Sequence, residues 1–138
     1  LPLMLDLSEW IDQITTQAQP AELAANVDAA QQSRALPSVS VVPGRETVGT
    51  APLSVGARHQ VAAEVLVVTG VRRGNQPLGG GLVDELRSLR EPILKQLIGW
   101  RPTGMDIEVA WQGGRLLSLN SSALFWVDAF KTEYWWTP

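Results

Sequence analysis

The chain of 138 residues contains no cysteine and only one histidine, His59. Without thiols it can form neither a disulfide nor a thiolate zinc site, and one imidazole cannot supply a usual transition-metal site. No run approaches the roughly 18 consecutive apolar residues of a membrane-spanning helix. These absences predict a protein that uses no metal and does not cross a membrane.

The common catalytic and nucleotide-binding motifs are also missing. No serine lies in a Gly-x-Ser-x-Gly sequence, the usual setting of a hydrolase nucleophile. The glycines at 79–81 precede a helical segment, but Leu82-Val83-Asp84 follows where a phosphate-binding loop needs Lys and Ser or Thr. We therefore expect no enzyme and no cofactor, and we interpret these glycines as a flexible connector.

Charge of either sign is scarce. Charged residues make up 18% of the chain, the formal net charge is −3, and Arg72-Arg73 is the one basic doublet. A binder of nucleic acid usually has a wider basic stripe with interleaved aromatic residues. The two arginines are therefore weak evidence for contact with DNA.

Apolar residues recur at helical spacing in two parts of the chain. The first stripe predicts a helix over residues 6–17, and Pro20 with the alanines after it predicts a second helix that ends near residue 34. The strongest stripe predicts a main helix within residues 79–98, with a bend at Pro92 and an end at Gly99. That stripe consists of Leu82, Leu86, Leu89, Ile93 and Leu97.

Strand patterns occupy most of the remaining chain. We predict strands over 38–42, 59–72 and 124–136, and a hairpin of 107–112 and 115–119 around Gly113-Gly114. The strand over 59–72 would extend to roughly 45 Å, so part of it is expected to bend or to overhang the sheet. Residues 43–58 are expected to form a surface loop, a ragged hairpin or an arm that orders against a partner.

This order predicts a single α+β domain over residues 1–138. Its sheet is expected to be mainly antiparallel or mixed, with about four to five strands and with the helices packed on one side.

Tryptophan is abundant at the end of the chain. Five of the six tryptophans are Trp100, Trp111, Trp126, Trp135 and Trp136. We expect the first three of these to fill the core. Trp135 and Trp136 are neighbours on one strand, so they point to opposite faces and at least one of them meets solvent or another subunit.

Several short motifs follow one another in the second half of the chain. They are VVTGVRR at 67–73, LVDELRSLREPILKQLIGWRP at 82–102, GGRLLSL at 113–119 and LFWVDAFKTEYWW at 124–136. In this order and spacing they resemble the tail terminator proteins of long-tailed bacteriophages. The resemblance covers about residues 60–136; Pro92 and the region before residue 36 depart from the family's pattern.

The resemblance implies a non-enzymatic virion protein that is assembled in the host cytoplasm. It implies a hexameric ring that caps the tail tube, ends its polymerisation and joins the tail to the neck. The partners would be further copies of the chain, the tail tube protein, a neck or head-completion protein, and genome DNA that passes through the lumen without sequence-specific binding. Another neck or tail-tube component, or a small-molecule-binding domain, is the alternative.

Seven residues are candidates for a subunit or partner interface because they lie in the predicted arm, in the basic doublet or at the aromatic end of the chain. They are Arg45, Val48, Leu53, Arg72, Arg73, Trp135 and Trp136.

Overall fold

The computed structural model describes residues 5–15, 20–32, 35–49, 58–73 and 80–137. Its helices are α1 (Leu7–Thr15), α2 (Val27–Ala30) and α3 (Gly80–Leu97). Its strands are β1 (Ala21–Leu23), β2 (Ser38–Val48), β3 (His59–Arg72), β4 (Ala110–Leu119) and β5 (Ala123–Trp136). Among the described residues, no helix has the length and apolar character needed to cross a bilayer.

The five strands form one mixed sheet in the order β1-β2-β3-β5-β4. β1 runs parallel to β2, and the other neighbouring pairs are antiparallel. The predicted α+β fold is therefore confirmed. β3 pairs with β5 from His59 to Arg72 and with β2 on its other side. The predicted overhang of β3 is wrong, because β5 is equally long and covers it from end to end.

The two longer helices cover one face of the sheet, which we call the helix face. There Trp10 and Ile14 of α1 and Ile93 and Leu97 of α3 pack with sheet residues such as Phe130. The other side is the open face. The short α2 lies there instead of beside the longer helices, and its Ala30 packs against Val42, Val68, Phe125 and Val127.

The helix predicted over 6–17 is confirmed from Leu7 to Thr15 as α1, and residues 16 and 17 lie outside the described part of the chain. The second predicted helix is wrong over most of its length. The chain first pairs Ala21–Leu23 with β2, and only then turns into α2. The Asn26 side chain caps α2 by accepting a hydrogen bond from the Ala29 N–H at 2.8 Å. An N-cap of this kind fixes the first turn of a helix, so helical structure cannot include the preceding strand.

Of the three alternatives for residues 43–58, the structure shows the ragged hairpin for 43–48, and a loop or an arm is wrong there. β2 continues through a bulge between Pro43 and Glu46 and pairs with β3 as far as Val48. At Gly44 a Cβ atom would lie 2.6 Å from the Glu64 carbonyl oxygen, so glycine lets the bulged strand approach β3. The rest of the predicted arm, residues 50–57, lies outside the described residues.

The predicted hairpin at Gly113-Gly114 is also wrong. β4 runs through both glycines as one strand beside β5, with irregularities between Trp111 and Gly113 and between Leu116 and Ser118. Gly113 has a φ of 105°, a conformation that suits glycine at a bulge. The glycine pair therefore bends a strand and does not reverse the chain.

The main predicted helix is confirmed as α3, with Pro92 inside it. Gly80 and Gly81 are its first two residues, so the interpretation of these two glycines as a connector is wrong. Gly99 ends the helical segment with a φ of 85°, and its N–H donates to the Val109 carbonyl at 3.0 Å. The Val109 N–H in turn donates to the Trp100 carbonyl at 2.7 Å. The bend at Pro92 stays a prediction.

Candidate subunit interface

A buried carboxylate connects α3 with the two strands at one edge of the sheet. Asp128 of β5 accepts two hydrogen bonds from the Arg90 guanidinium of α3, at 2.9 Å and 2.8 Å. Its Oδ1 also accepts the indole N–H groups of Trp111 and Trp126, both at 3.2 Å. The Arg90 guanidinium lies over the Trp126 ring, 4.6 Å from its centroid. We call these four residues the Asp128 cluster.

Burial makes the Asp128 cluster depend on all of its hydrogen bonds. The Asp128 side chain is 3% exposed and that of Arg90 is 20% exposed. A buried charge is tolerated only when it is paired and hydrogen-bonded. Gly114 of the neighbouring strand leaves room for the group, since a Cβ there would lie 2.3 Å from Asp128 Oδ1. The cluster therefore holds α3, β4 and β5 in one fixed arrangement.

One indole of the Asp128 cluster also faces solvent. Trp111 is 43% exposed, so its predicted place in the core is wrong. Its N–H already binds Asp128, and the ring surface left in solvent is therefore apolar. Trp100 and Trp126 are half-buried. The fully buried tryptophan is Trp10, which meets the Trp100 ring edge-on with 5.4 Å between ring centroids.

Trp135 and Trp136 lie on opposite faces of β5, as their neighbouring positions predict. Trp135 is 37% exposed, and the Arg58 guanidinium lies 4.3 Å from its ring centroid. Its backbone N–H donates to Asp106 Oδ2 at 2.7 Å. Trp136 is half-buried and stacks on His59, with 6.0 Å between ring centroids.

Val48 lies at the same end of the sheet as the two terminal tryptophans. It is 57% exposed and pairs with Val61, which pairs with Tyr134 on its other side. We call the surface of Val48, Arg58, Trp135 and Trp136 the Trp135 end. Nearby, the Tyr134 hydroxyl donates to Glu46, and burial together with this carboxylate raises the pKa of Tyr134.

Arg45 borders a concavity of about 500 Å³ on the open face. Its backbone N–H donates to Glu64 at 3.4 Å, and the concavity is also lined by Gln112 and Lys131. Small-molecule sites are mainly apolar clefts that enclose their ligand. A shallow concavity with charged borders is a surface that another protein can contact.

The basic doublet lies at the opposite end of β3 from the Trp135 end, roughly 40 Å away at the rise of a strand. Arg72 is exposed. The Arg73 guanidinium donates to the Asn120 carbonyl at 3.1 Å, and its backbone N–H donates to the Ser122 carbonyl at 2.9 Å. Leu53 lies outside the described residues. The structure thus places Val48, Trp135 and Trp136 at one end of the sheet, with Trp135 on the opposite face from the other two, and separates all three from Arg72 and Arg73.

The pairing of Arg90 with Asp128 was not predicted from the sequence. The available signals were a lone acidic residue within the apolar run Leu-Phe-Trp-Val-Asp-Ala-Phe at 124–130, and an arginine four residues after Leu86 on the apolar stripe of α3. Among the described residues, no group of three His, Asp or Glu side chains is placed to hold a metal ion.

Comparison with known families adds the evidence that the geometry does not supply. The model of the phage tail terminator protein family matches residues 3–137, nearly the whole chain. The chain belongs to the phage tail terminator family. No curated protein matches it closely enough to report.

Membership gives this phage tail terminator family protein a structural role in completing the phage tail. The family is structural and not known for catalysis, and its members belong to the virion and associate with other tail and head components. The match also includes the region before residue 36, where no sequence motif resembles the family.

Proposed function

We propose that this protein forms a ring, with six copies, that caps the tail tube, ends its polymerisation and joins the tail to the neck. The main support for this proposal is the match of the tail terminator family over residues 3–137. Genome DNA passes through the lumen of this ring without sequence-specific contacts.

The ends of the long strands support a direct contact between this protein and a neighbouring component of the tail. The long strands β3 and β5 end together at the Trp135 end, where two large apolar side chains, Val48 and Trp135, are exposed. Exposed aromatic residues beside an arginine are typical of the centres of protein interfaces. We propose that the Trp135 end meets the tail tube or the neck, and that residues 50–57 contribute to the same contact.

The other proposed interface residues take different positions in this scheme. Arg45 and the concavity beside it lie on the open face, where they are available to a partner. Arg72 is exposed at the far end of β3, where it would meet the component on the other side of the ring. Arg73 mainly holds the turn before β5 through Asn120 and Ser122, and Arg72 therefore carries more of the proposed contact.

A neck connector or a tube subunit is the nearest alternative, and the test must separate the three. The purified chain is added to tail tubes that are still elongating, and the tubes are imaged by electron microscopy. A terminator produces one ring at one end of each tube and stops elongation. Incorporation along the tube would indicate a tube subunit instead. The absence of any density on the tubes would contradict the proposed cap and favour the neck connector.

A matched pair of variants tests the Trp135 end in the same experiment. Val48→Asp places a charge at the proposed contact, and Val83→Asp places one on the outer surface of α3, where the valine is similarly exposed at 52%. We expect Val48→Asp to lower the occupancy of tube ends at least about tenfold, because a buried unpaired charge costs several kcal/mol. Val83→Asp should cap tubes as the natural sequence does. Equal capping by both variants would remove the Trp135 end from the contact.

A further inference from the structure

The two edges of the sheet differ in charge and carry exposed apolar residues. One edge is β1, and the segment 20–32 around it contains Glu22 and Asp28 but no lysine or arginine. The other edge is β4, whose one charged residue is Arg115. Leu23 is 61% exposed on β1, while Trp111 and Leu116 are 43% and 46% exposed on β4.

Strand register places the matching side chains of the two edges on the same faces of the sheet. Leu23 aligns with Val41, whereas Trp111 and Leu116 align with Phe130 and Trp126, all on the helix face. Glu22 aligns with Ser40 and Arg115 with Val127, on the open face. When the edges of two copies meet with their faces aligned, apolar residues meet on one face and opposite charges meet on the other.

The geometry points to a head-to-tail contact in which the β4 edge of one copy receives the β1 edge of the next. Trp111 is its anchor, because Asp128 and the fixed backbone of β4 hold the indole in one orientation before binding. A side chain that is already ordered loses little conformational entropy on association. This inference rests on the proposed ring, and it names the surfaces that form the ring.

Pairing of identical edges is disfavoured by the same charges. Two copies joined through β4 would bring Arg115 near its own counterpart, and two copies joined near β1 would bring Glu22 near its counterpart. Like charges that face each other across an interface are destabilising. Neither Glu22 nor Arg115 has an ion-pair partner among the residues that the structure describes. A contact between unlike edges is heterologous, and it generates a ring when the rotation closes.

Side chains rather than a continuous backbone ladder should dominate this contact. β4 contains two irregularities and β1 is three residues long. Bulged and short edge strands are poor templates for extended strand pairing. The apolar residues Trp111, Leu116 and Leu23 and the pair Glu22–Arg115 must therefore supply most of the affinity.

Cross-linking tests the contact directly, because the natural chain has no cysteine. The full-length variants Leu23→Cys and Leu116→Cys are prepared separately and mixed in the presence of tail tubes with a short bismaleimide. We expect cross-linked dimers in the mixture and none with either variant alone. The variant with both cysteines should give a ladder of products that ends at the number of copies in the ring. A matched variant, Val83→Cys mixed with Leu23→Cys, should give no cross-link.

Charge exchange is the second test and does not depend on the cross-linker. Glu22→Arg and Arg115→Glu should each lower ring formation about tenfold, measured by mass photometry and by electron microscopy on tubes. Mixing the two variants, or combining both changes in one chain, should restore it. Equal cross-linking of Leu116→Cys with itself, or no rescue by the double change, would overturn the head-to-tail edge contact. If the variants form rings as the natural sequence does, the edge contact is wrong but the proposed function stands. If the natural sequence itself forms neither rings nor caps on tail tubes, the proposed function is refuted.

Discussion

Two tryptophans of β5 each lie under an arginine from another part of the chain, with similar geometry and different surroundings. Arg90 lies over Trp126 at 4.6 Å, and Arg58 lies over Trp135 at 4.3 Å. Both sites also include an aspartate that accepts N–H groups, Asp128 in the first and Asp106 in the second. At the first site α3 and β4 cover the carboxylate, and the Asp128 side chain is only 3% exposed, whereas Trp135 is 37% exposed at the end of the sheet.

Burial decides what each pair contributes. At the Asp128 cluster the ion pair is largely buried, so the loss of one partner leaves the other charge buried without its counterion. At the Trp135 end water still solvates the arginine, and the interaction adds little to folding. The first pair therefore stabilises the subunit. The second retains an aromatic surface and a charge that a partner can desolvate, which is consistent with the proposed contact.

The largest effect is expected when the buried pair is broken. Arg90→Ala should lower the free energy of unfolding by about 3–5 kcal/mol, because Asp128 remains buried without its counterion. Urea unfolding followed by circular dichroism measures the loss. Arg87→Ala is the matched control on the same helix, since Arg87 pairs with Asp84 in a bridge whose side chains are 61% and 70% exposed. That control should cost less than about 1 kcal/mol, and equal losses would contradict the difference between the two regions.

An intermediate effect is expected when the space around Asp128 is reduced. Gly114→Ala would place its Cβ 2.3 Å from Asp128 Oδ1 and 2.5 Å from Trp126 Nε1, so the cluster must move. We expect a loss of about 1–3 kcal/mol, the usual range for overpacking. Gly49→Ala is the control, because its nearest contact would be 3.7 Å from the Gln60 carbonyl oxygen. Thermal unfolding compares the two, and an unchanged melting temperature for Gly114→Ala would show that the cluster adapts without cost.

The smallest effect on stability is expected at the exposed pair. Arg58→Ala should lower the free energy of unfolding by less than about 1 kcal/mol, because an exposed cation–π contact is weak in water. If the Trp135 end meets a partner, the same change should weaken binding to tail tubes more than it weakens folding. Urea unfolding and quantitative tube binding are measured on one preparation. A loss of stability as large as that of Arg90→Ala would remove the distinction between the two pairs.

The parts of the fold that could be predicted are those whose own sequence carries a strong periodic signal. The stripe from Leu82 to Leu97 defines α3, and the alternation in 59–72 and 124–136 defines β3 and β5. These elements form the centre of the molecule, where burial on a fixed face imposes the pattern. The segment after Pro20 has only a weak stripe, and there pairing with β2 outweighed the helix propensity of its alanines.

The candidate site shows the same division. Trp135 and Trp136 could be assigned to opposite faces because alternation along a strand is a local property. Arg90 and Asp128 are 38 positions apart in the sequence, so no local pattern connects them. The core position predicted for Trp111 is wrong because the sequence does not show that β4 is an edge strand of the sheet. Gly113 and Gly114 have the appearance of a turn until β5 is known to run beside both of them.

Four features can be inferred from the order of the amino acids alone: the absence of thiols, the main helix, the two long strands and the motifs that resemble the tail terminator family. Those features depend on composition and on neighbours a few residues apart, which hydrophobic periodicity records. The contacts of Arg90, Trp111 and Trp126 with Asp128, and the opposite charges of the two sheet edges, become visible only in the folded chain. Such arrangements depend on which strands become neighbours, and burial of the whole sheet selects that order through contacts between distant segments.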